Sequence, residues 1–284
     1  MKKVYSTDCN GVCEGCASAN PDGTCKENKG IEKCKPNAFT HIKKIIGVVS
    51  GKGGVGKSFV TSLLASYLNK EGKKVGILDG DIVGPSIPKS FNIHESAYAN
   101  ENRLIVPAAT KSGIKLISSN MMLEHEDDPI IWRGSLVSSL LKQFYTDVAW
   151  GELDVLLIDM PPGTSDVTLT AFQSLPLDGI IIVTSPQDLV SLIVKKAINM
   201  AKMMNIPLLG AVENMSYVLC PKCGEKIEIY GKSKLGDFAK ETGVKALTRL
   251  PIKEGVSALI DQGNVEKVKM DEILLVIDVI NEAK

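Results

Sequence analysis

Residues 50–58 have the sequence SGKGGVGKS, and residues 51–58 match the pattern G-x-x-x-x-G-K-[ST] in full. The apolar run KIIGVVS (44–50) precedes this segment, and FVTSLLASYLNK (59–70), with aliphatic residues at helical spacing, follows it. A strand, a glycine-rich loop and a helix in that order form the setting of a phosphate-binding loop. Backbone N–H groups of such a loop and the helix N-terminus attract phosphate oxygens. The sequence therefore predicts a nucleotide site at this loop.

This phosphate loop (51–58) supplies most of the predicted site residues. We expect Lys57 to reach the β- and γ-phosphates of ATP and the Ser58 hydroxyl to bind Mg²⁺. The residues predicted to bind the nucleotide are Gly51, Lys52, Gly53, Gly54, Val55, Gly56, Lys57 and Ser58.

An additional lysine, Lys52, occupies the second position of the loop, on the far side of the phosphates from Lys57. In a face-to-face dimer, Lys52 would neutralise phosphate charge on the neighbouring subunit's nucleotide, as an arginine finger supplied in trans does. The alternative interpretation is an ordinary solvated surface lysine. We predict that both lysines are catalytic.

Aspartates end two of the strand-like runs. Asp79 and Asp81 come at the end of KKVGILDGD (73–81), and Asp159 ends LDVLLID (153–159). A carboxylate at the carboxyl end of a strand beside the phosphate loop is placed to hold Mg²⁺, as a Walker B residue does. We predict this role for Asp159, although aspartates also end strands for purely structural reasons.

The rest of the chain alternates strand-like and helical runs. Apolar runs occur at GIKLISS, LDVLLIDM, DGIIIVTS, IPLLGAVEN and KALTRL, separated by helical stretches such as SLVSSLLKQFYTDV and DLVSLIVKKAINMAKMM. Unbroken apolar strands between helices indicate a parallel sheet covered on both faces. We predict a doubly wound, mostly parallel α/β fold over residues 41–284, with ligands outside the carboxyl ends of the strands. The last predicted helix runs from about residue 265 to 283.

Composition limits the classes of partner. The chain has 284 residues and a formal net charge of +0, with both signs interspersed. No basic face for nucleic acid or an anionic membrane is predicted, so we expect small molecules and proteins as partners. The N-terminus lacks the apolar run of a signal peptide, and no stretch approaches the roughly 20 apolar residues of a membrane span. We expect a cytoplasmic protein.

Seven cysteines in a reducing compartment favour metal binding over disulfides. Five lie in a polar N-terminal segment, residues 1–40, where Cys13 and Cys16 form a C-x-x-C pair. Cys220 and Cys223 form a second, isolated pair. Two thiolates at this spacing bind either an iron–sulfur cluster or zinc, and spacing does not separate these metals. One chain supplies two ligands at Cys220 and Cys223, whereas a dimer supplies four.

Several stretches together resemble a known family. The loop GKGGVGKS (51–58) resembles the deviant Walker A motif of the ParA, MinD and nitrogenase iron-protein group, in which the early lysine acts across a dimer. GDIVGPSIP (80–88), the segment 132–170, VENMSYVLCPKCG (212–224) and TRLPI (248–252) are similar to the Mrp/ApbC-type iron–sulfur cluster carrier ATPases. The resemblance covers nearly all of residues 42–260.

The resemblance implies roles for individual residues. Asp81 would orient the attacking water, and Asn214 would contact the adenine. Cys220 and Cys223 of two subunits would share one [4Fe-4S] cluster at the interface of a homodimer. The implied function is an ATPase that assembles [4Fe-4S] clusters or transfers them to apo iron–sulfur proteins.

Three questions stay open at this level. Cys13 and Cys16 would hold a second, N-terminal cluster, or belong to a tail without metal. A positioning ATPase of the ParA or MinD type with a structural zinc site shares the same loop, and would act on DNA or a membrane. A nucleotide-gated reductase would also bridge a cluster between subunits, but would keep it during turnover.

Overall fold

The structure, a computed structural model, describes residues 32–123, 134–187 and 192–283, and those from Cys34 onward belong to one compact unit. The strands are β1 (Thr40–Ser50), β2 (Val75–Asp79), β3 (Tyr98–Ala99), β4 (Ile105–Val106), β5 (Ala108–Ala109), β6 (Lys115–Ile117), β7 (Gly151–Asp159), β8 (Gly179–Thr184), β9 (Leu208–Glu213), β10 (Val218–Leu219), β11 (Lys226–Ile227) and β12 (Ala246–Arg249). The helices are α1 (Lys57–Lys70), α2 (Ile87–Ser90), α3 (Ser135–Thr146), α4 (Asp166–Ser174), α5 (Leu192–Met203), α6 (Leu235–Thr242), α7 (Val256–Asp261) and α8 (Leu274–Glu282).

Eight strands of the described residues form one central sheet in the order β12-β9-β8-β1-β7-β2-β6-β5. Neighbouring strands are parallel except β5, which pairs antiparallel with β6 at the edge. The predicted doubly wound, mostly parallel α/β fold is confirmed. The small pairs β3–β4 and β10–β11 lie outside this sheet and are antiparallel.

The chain runs in both directions from the central strand β1. The connection from β1 to β2 leads one way along the sheet, whereas the connections from β7 through β8 and β9 to β12 lead the other way. Right-handed crossovers therefore place α1 on one face and α4, α5 and α6 on the opposite face. The order reverses beside β1, so the crevice for a ligand lies at the carboxyl end of this strand, where the phosphate loop begins.

The core is built from the central strands and the helices that cover them. β2 and β8 are buried along their whole length, as strands with helices on both faces must be. α1 is buried over most of its length because it packs between the sheet and the C-terminal α8. In the described ranges, no helix combines the length and the apolar character that crossing a bilayer requires.

The single C-terminal helix predicted over residues 265–283 is wrong. A short 3-10 turn (Val265–Lys267) is followed by extended backbone at Val268, non-helical backbone at Met270, a second 3-10 turn (Asp271–Ile273), and α8. The buried Met270 donates its N–H to the Tyr67 hydroxyl at 2.7 Å. This bond to α1 replaces the intrahelical bond that a continuous helix would make.

Candidate nucleotide and cysteine sites

The phosphate loop wraps the mouth of a cleft of about 200 Å³ at the carboxyl end of β1. Gly54 and Gly56 have φ angles of +81° and +79°, a conformation that glycine adopts at little cost. α1 begins directly after Gly56, so the unpaired N–H groups of its first turn face the loop. This arrangement is the anion-binding geometry expected for phosphate.

Asp159 is the centre of a buried polar cluster below the loop. Its Oδ2 accepts hydrogen bonds from Lys57 Nζ at 2.7 Å and from Ser58 Oγ at 2.6 Å. Its Oδ1 accepts from Thr61 Oγ1 at 2.7 Å. Lys57 and Asp159 form an ion pair with both side chains almost fully buried. The two predicted ligands of Mg²⁺, Ser58 and Asp159, therefore touch each other.

Two further aspartates lie at the end of β2. Asp79 is fully buried, pairs in register with Asp159 and accepts a hydrogen bond from Ser118 Oγ at 3.0 Å. Burial, and then the charge of Asp159, raise the pKa of Asp79 to about 7. Asp81 is only partly buried and lines the cleft. Burial raises the pKa of Asp81 as well. Asp81 is thus the carboxylate that a bound substrate can reach.

Asn214 lies directly beside the phosphate loop. It follows β9, and its Nδ2 donates to the backbone oxygen of Val55 at 3.0 Å. A Cβ at Gly56 would fall 2.2 Å from the same nitrogen, so only glycine fits there. The predicted adenine-binding residue is therefore packed against the loop itself.

Lys52 has an exposed side chain and also lines the cleft. The Ser50 hydroxyl donates to the Lys52 backbone oxygen at 3.0 Å and holds this part of the loop. Lys57, in contrast, is buried in the floor of the site. The two lysines thus occupy different sides of the loop, one facing outward and one facing inward.

The cysteine hairpin, residues 218–227, consists of β10, a tight turn and β11. The Cys220 N–H donates to the Glu225 oxygen at 2.8 Å, and the Gly224 N–H donates to the Cys220 oxygen at 2.8 Å. Gly224 has a φ of +75°, which lets the turn close. Cys223 is exposed and Cys220 is partly exposed. Both thiols therefore lie on one solvent-facing turn.

The hairpin backbone favours the thiolate form of Cys220. The N–H groups of Cys223 and Lys222 lower the pKa of the Cys220 thiol. Within the described ranges, no group of three or more His, Cys, Asp or Glu side chains is arranged to hold a metal ion. In the part of the chain that the structure describes, the hairpin offers two thiols, those of Cys220 and Cys223.

Exposed apolar side chains accompany the two thiols. They belong to the hairpin, to the segment after it, and to the loop that pairs with Val218, namely Leu219, Ile227, Ile229, Tyr230 and Ile252. Exposed apolar groups next to a potential metal site are typical of a protein–protein contact surface.

A family model described as ParA, the NUBPL iron-transfer P-loop NTPases, matches residues 41–281. The chain belongs to this family. The iron–sulfur cluster carrier protein of Clostridium perfringens is 46% identical to this NTPase over 259 residues, which cover 89% of this chain and 90% of the relative. The carrier protein of Methanocaldococcus jannaschii is 46% identical over 262 residues, which cover 90% and 89%.

Solved structures show the same fold. A nucleotide-binding protein from Archaeoglobus fulgidus, solved with ADP, matches this NTPase with a TM-score of 0.72 and 42% identity, over 80% of this chain and 89% of that one. The cell division ATPase MinD of Pyrococcus furiosus matches with a TM-score of 0.58 and 17% identity, over 85% and 100%. The resemblance of the sequence to the Mrp/ApbC-type iron–sulfur cluster carrier ATPases is confirmed by the family model and the relatives.

The structure places most of the predicted site residues of this NTPase together. Lys52, Lys57, Ser58 and Asp81 line one cleft, and Asp159 touches two of them. Cys220 and Cys223 lie together on the cysteine hairpin, which follows Asn214 along the chain. Cys13 and Cys16 lie outside the described residues. The chemical roles assigned to all of these residues stay predictions.

Sequence reasoning missed several polar residues of the site. Thr61 lies one turn after Lys57 on α1, and helical spacing toward Asp159 is a signal that would have indicated it. Ser118 and Arg249 have no local signal, because tertiary folding alone brings them to Asp79 and Glu213.

Proposed function

We propose that this NTPase hydrolyses ATP and carries a [4Fe-4S] cluster as cargo to apo iron–sulfur proteins. The observation that supports this function most directly is the solvent-facing hairpin with Cys220 and Cys223 on the same α/β unit as a complete phosphate loop. A relative that this chain matches over 90% of the relative's own length is named an iron–sulfur cluster carrier protein. The nucleotide site supplies a switch, and the thiols supply ligands for the cargo.

ATP binding must rearrange the buried polar cluster. Lys57 is paired with Asp159, so the lysine exchanges this carboxylate for phosphate oxygens when ATP enters. The hydroxyl of Ser58 and the carboxylate of Asp159 are oxygen donors of the kind that Mg²⁺ prefers, and both would hold this ion. Bound Mg²⁺ neutralises phosphate charge.

Hydrolysis then depends on groups at the rim of the cleft. Asp81 is the partly buried carboxylate that faces the cleft, and we assign it the orientation of the attacking water. Lys52 faces outward, so we assign it to the phosphates of the neighbouring subunit's nucleotide. Asn214 is assigned to the adenine because it flanks the loop.

A homodimer completes the cargo site. A cubane cluster takes four thiolates, and Cys220 with Cys223 supplies two from each chain. The exposed apolar side chains around the cysteine hairpin supply a surface that a second copy would cover. ATP and its hydrolysis would switch the dimer between holding and releasing the cluster.

The N-terminal segment, residues 1–40, is proposed as a separate cysteine-rich region before the ATPase domain, residues 41–284. Cys13 and Cys16 would hold a second metal centre there. We propose a cytoplasmic location, because thiols stay reduced in that compartment.

The test is anaerobic reconstitution with iron and sulfide, followed by Mössbauer spectroscopy and counting of iron, sulfide and zinc. We expect one [4Fe-4S] cluster per dimer at the hairpin, lost in the Cys220→Ala, Cys223→Ala double variant while ATP binding is retained. Cys34→Ser is the matched control, because Cys34 packs against the hydrophobic core and its loss should leave the hairpin cluster intact.

Other outcomes separate the alternatives. Cluster signal that persists in the double variant belongs to the N-terminal cysteines. Full occupancy in the double variant contradicts the proposed site. Zinc that outcompetes iron, with no cluster in either protein, makes the hairpin structural and favours a positioning ATPase. A cluster that stays bound through turnover and passes only electrons favours a reductase.

A further inference from the structure

The end of β9 connects the phosphate loop to the cysteine hairpin through five residues. Asn214 contacts the loop at Val55, and its own N–H donates to the Thr184 oxygen at 2.8 Å. Tyr217 directly precedes the hairpin, and its backbone oxygen accepts a hydrogen bond from the N–H of Ile252 at 2.7 Å. The segment 213–217 is therefore hydrogen-bonded to the phosphate loop through Asn214 and to Ile252 through Tyr217, and it leads directly into the hairpin.

This connecting segment has a constrained backbone. Met215 has a φ of +54°, a left-handed conformation that is unfavourable for a residue with a side chain. The turn brings Ser216 back toward Glu213, and the Ser216 hydroxyl donates to the Glu213 carboxylate. A strained conformation persists only where surrounding contacts enforce it. Backbone hydrogen bonds hold the residues on either side of it, from the Asn214 N–H to the Thr184 oxygen and from the Ser216 N–H to the Leu250 oxygen. The side chains of Glu213 and Ser216 both contact Arg249.

Arg249 bridges the segment and the hairpin. Its Nε donates to Ser216 Oγ at 2.7 Å and lies 3.3 Å from Glu213 Oε2. Its Nη2 donates to the carboxylate of Glu228, the residue that follows β11. The guanidinium also lies 5.5 Å from the centre of the Tyr217 ring. One rigid, planar group thus touches both ends of the connection.

Arg249 lies between two carboxylates, those of Glu213 and Glu228. Glu213 is fully buried, and the Ser233 hydroxyl donates to its Oε1 at 3.0 Å. A buried carboxylate needs a cation, so the position of Arg249 is set by Glu213 at the nucleotide side. The same guanidinium lowers the pKa of Glu228 on the hairpin side. Arg249 is therefore held by one carboxylate on each side, Glu213 at the end of β9 and Glu228 after the hairpin.

We infer that Arg249 is a positioning residue that couples nucleotide occupancy of the phosphate loop to the geometry of the cysteine hairpin, an inference that rests on the function proposed above. A nucleotide that displaces the Asn214–Val55 bond acts on the segment that Arg249 ties to Glu228. Coupling between two binding sites is reciprocal, so a bound cluster changes ATP affinity by the same factor as ATP changes cluster affinity.

The experiment measures the factor by which a bound cluster changes the affinity for ATP. The affinity of a fluorescent, non-hydrolysable ATP analogue with Mg²⁺ is titrated anaerobically against the cluster-loaded and the cluster-free full chain. We expect the two affinities of the wild type to differ about fivefold or more, the range of ordinary allosteric coupling. In Arg249→Lys, which keeps the charge but not the planar fork, we expect the difference to fall below about twofold.

A second variant keeps the inference testable if Arg249→Lys fails to fold. Glu228→Ala removes the hairpin arm of the network and leaves Glu213 paired with Arg249. It should lose the difference between the two affinities as well, with unchanged cluster content and urea midpoint. Lys253→Met is the matched control, because Lys253 and its partner Glu272 are 31% and 29% exposed, against 32% and 28% for Arg249 and Glu228.

The outcomes are distinguishable. A wild type that binds no cluster at the hairpin overturns the proposed function, and this inference with it. A wild type that binds the cluster without any change in nucleotide affinity overturns the inference alone. A full difference in affinity in both Arg249→Lys and Glu228→Ala also overturns it, as does an equal loss in Lys253→Met.

Discussion

Lys57 and Asp159 neutralise each other in the structure. Both side chains are almost fully buried, so separating them without a replacement would leave charge in a poorly solvated site. ATP with Mg²⁺ provides both replacements at once, an anion for the lysine and a cation for the carboxylate. Nucleotide and metal are therefore expected to bind together.

Replacing Asp159 with asparagine tests this exchange. Asp159→Asn removes the charge that would hold Mg²⁺, so we expect ATP hydrolysis to fall by about 100-fold or more. Binding of ADP without Mg²⁺ should not weaken and is expected to tighten, because Lys57 no longer has to leave the Asp159 carboxylate to contact the phosphates. Steady-state hydrolysis and calorimetric ADP titration measure the two effects.

Asp154→Asn is the control for this variant, since Asp154 lies on the same strand, β7, far from the site and paired with Lys43. It should keep full hydrolysis. Asp159→Asn with unchanged hydrolysis at saturating Mg²⁺ would contradict the assignment of Asp159 as a metal ligand.

Asp79 predicts a dependence of stability on pH. Its pKa is about 7 in the folded protein, against about 3.9 in an unfolded chain. The native state therefore holds this proton more tightly, and its contribution to stability is full below about pH 4 and lost as the pH rises through about 7. Without nucleotide or Mg²⁺, we expect the urea midpoint of the wild type to fall over this window and that of Asp79→Asn to fall less.

Ser118→Ala sharpens this comparison. The Ser118 hydroxyl donates to Asp79 and lowers the pKa of its carboxyl, so its removal should move the loss of stability to higher pH. Identical pH profiles for the wild type and Asp79→Asn would show that another group is responsible.

Among the elements, the C-terminal segment differs most from its sequence pattern. Residues 265–283 carry aliphatic side chains at roughly helical spacing, yet the buried residues Val268 and Met270 have non-helical backbone. The Tyr67 hydroxyl accepts the Met270 N–H and donates to Asp271 at 2.9 Å. A tertiary hydrogen bond here overrides local helix propensity.

Tyr67→Phe removes this bond and leaves the buried Met270 N–H without its partner. We expect a loss of about 1–2 kcal/mol in the free energy of unfolding, measured by urea denaturation. Tyr98→Phe is the control, because Tyr98 is exposed. An unchanged midpoint in Tyr67→Phe would show that water or another acceptor satisfies Met270.

The sequence predicts the central elements well for a physical reason. β1, β2, β7, β8 and β9 are apolar runs whose burial follows from composition alone, and α1 has a local start signal in the glycine-rich loop. The phosphate loop is contiguous, so its residues are recognisable together. Contacts between distant segments, such as Arg249 with Glu228, depend on the assembled fold and leave no local pattern.

At the scale of the whole molecule, a Lys52→Ala variant tests whether Lys52 acts on the nucleotide of the neighbouring subunit in a dimer. Lys52→Ala should keep ATP affinity within a few-fold and reduce hydrolysis by about 100-fold or more, as loss of a residue acting in trans does. Mixing Lys52→Ala with Asp81→Asn should restore activity, because a mixed dimer has one site with both groups intact. We expect about a quarter of wild-type hydrolysis from an equal mixture, since about half of the dimers are mixed.

The mixing experiment also tests the opposite arrangement. No recovery in the mixture, with each variant shown to dimerise, would place Lys52 and Asp81 in the same subunit's site. Hydrolysis unaffected by Lys52→Ala would identify Lys52 as an ordinary solvated residue.

In the proposed arrangement, two chains each supply Cys220 and Cys223 to one cluster, and this requirement for two chains would make carrier capacity sensitive to gene dosage. When most copies are single chains, mass action makes the number of paired copies follow the square of the chain's abundance. Halving expression would then remove about three quarters of the sites that can take up a cluster. A cell that depends on this carrier would be sensitive to modest changes in its abundance, well before the protein itself becomes scarce.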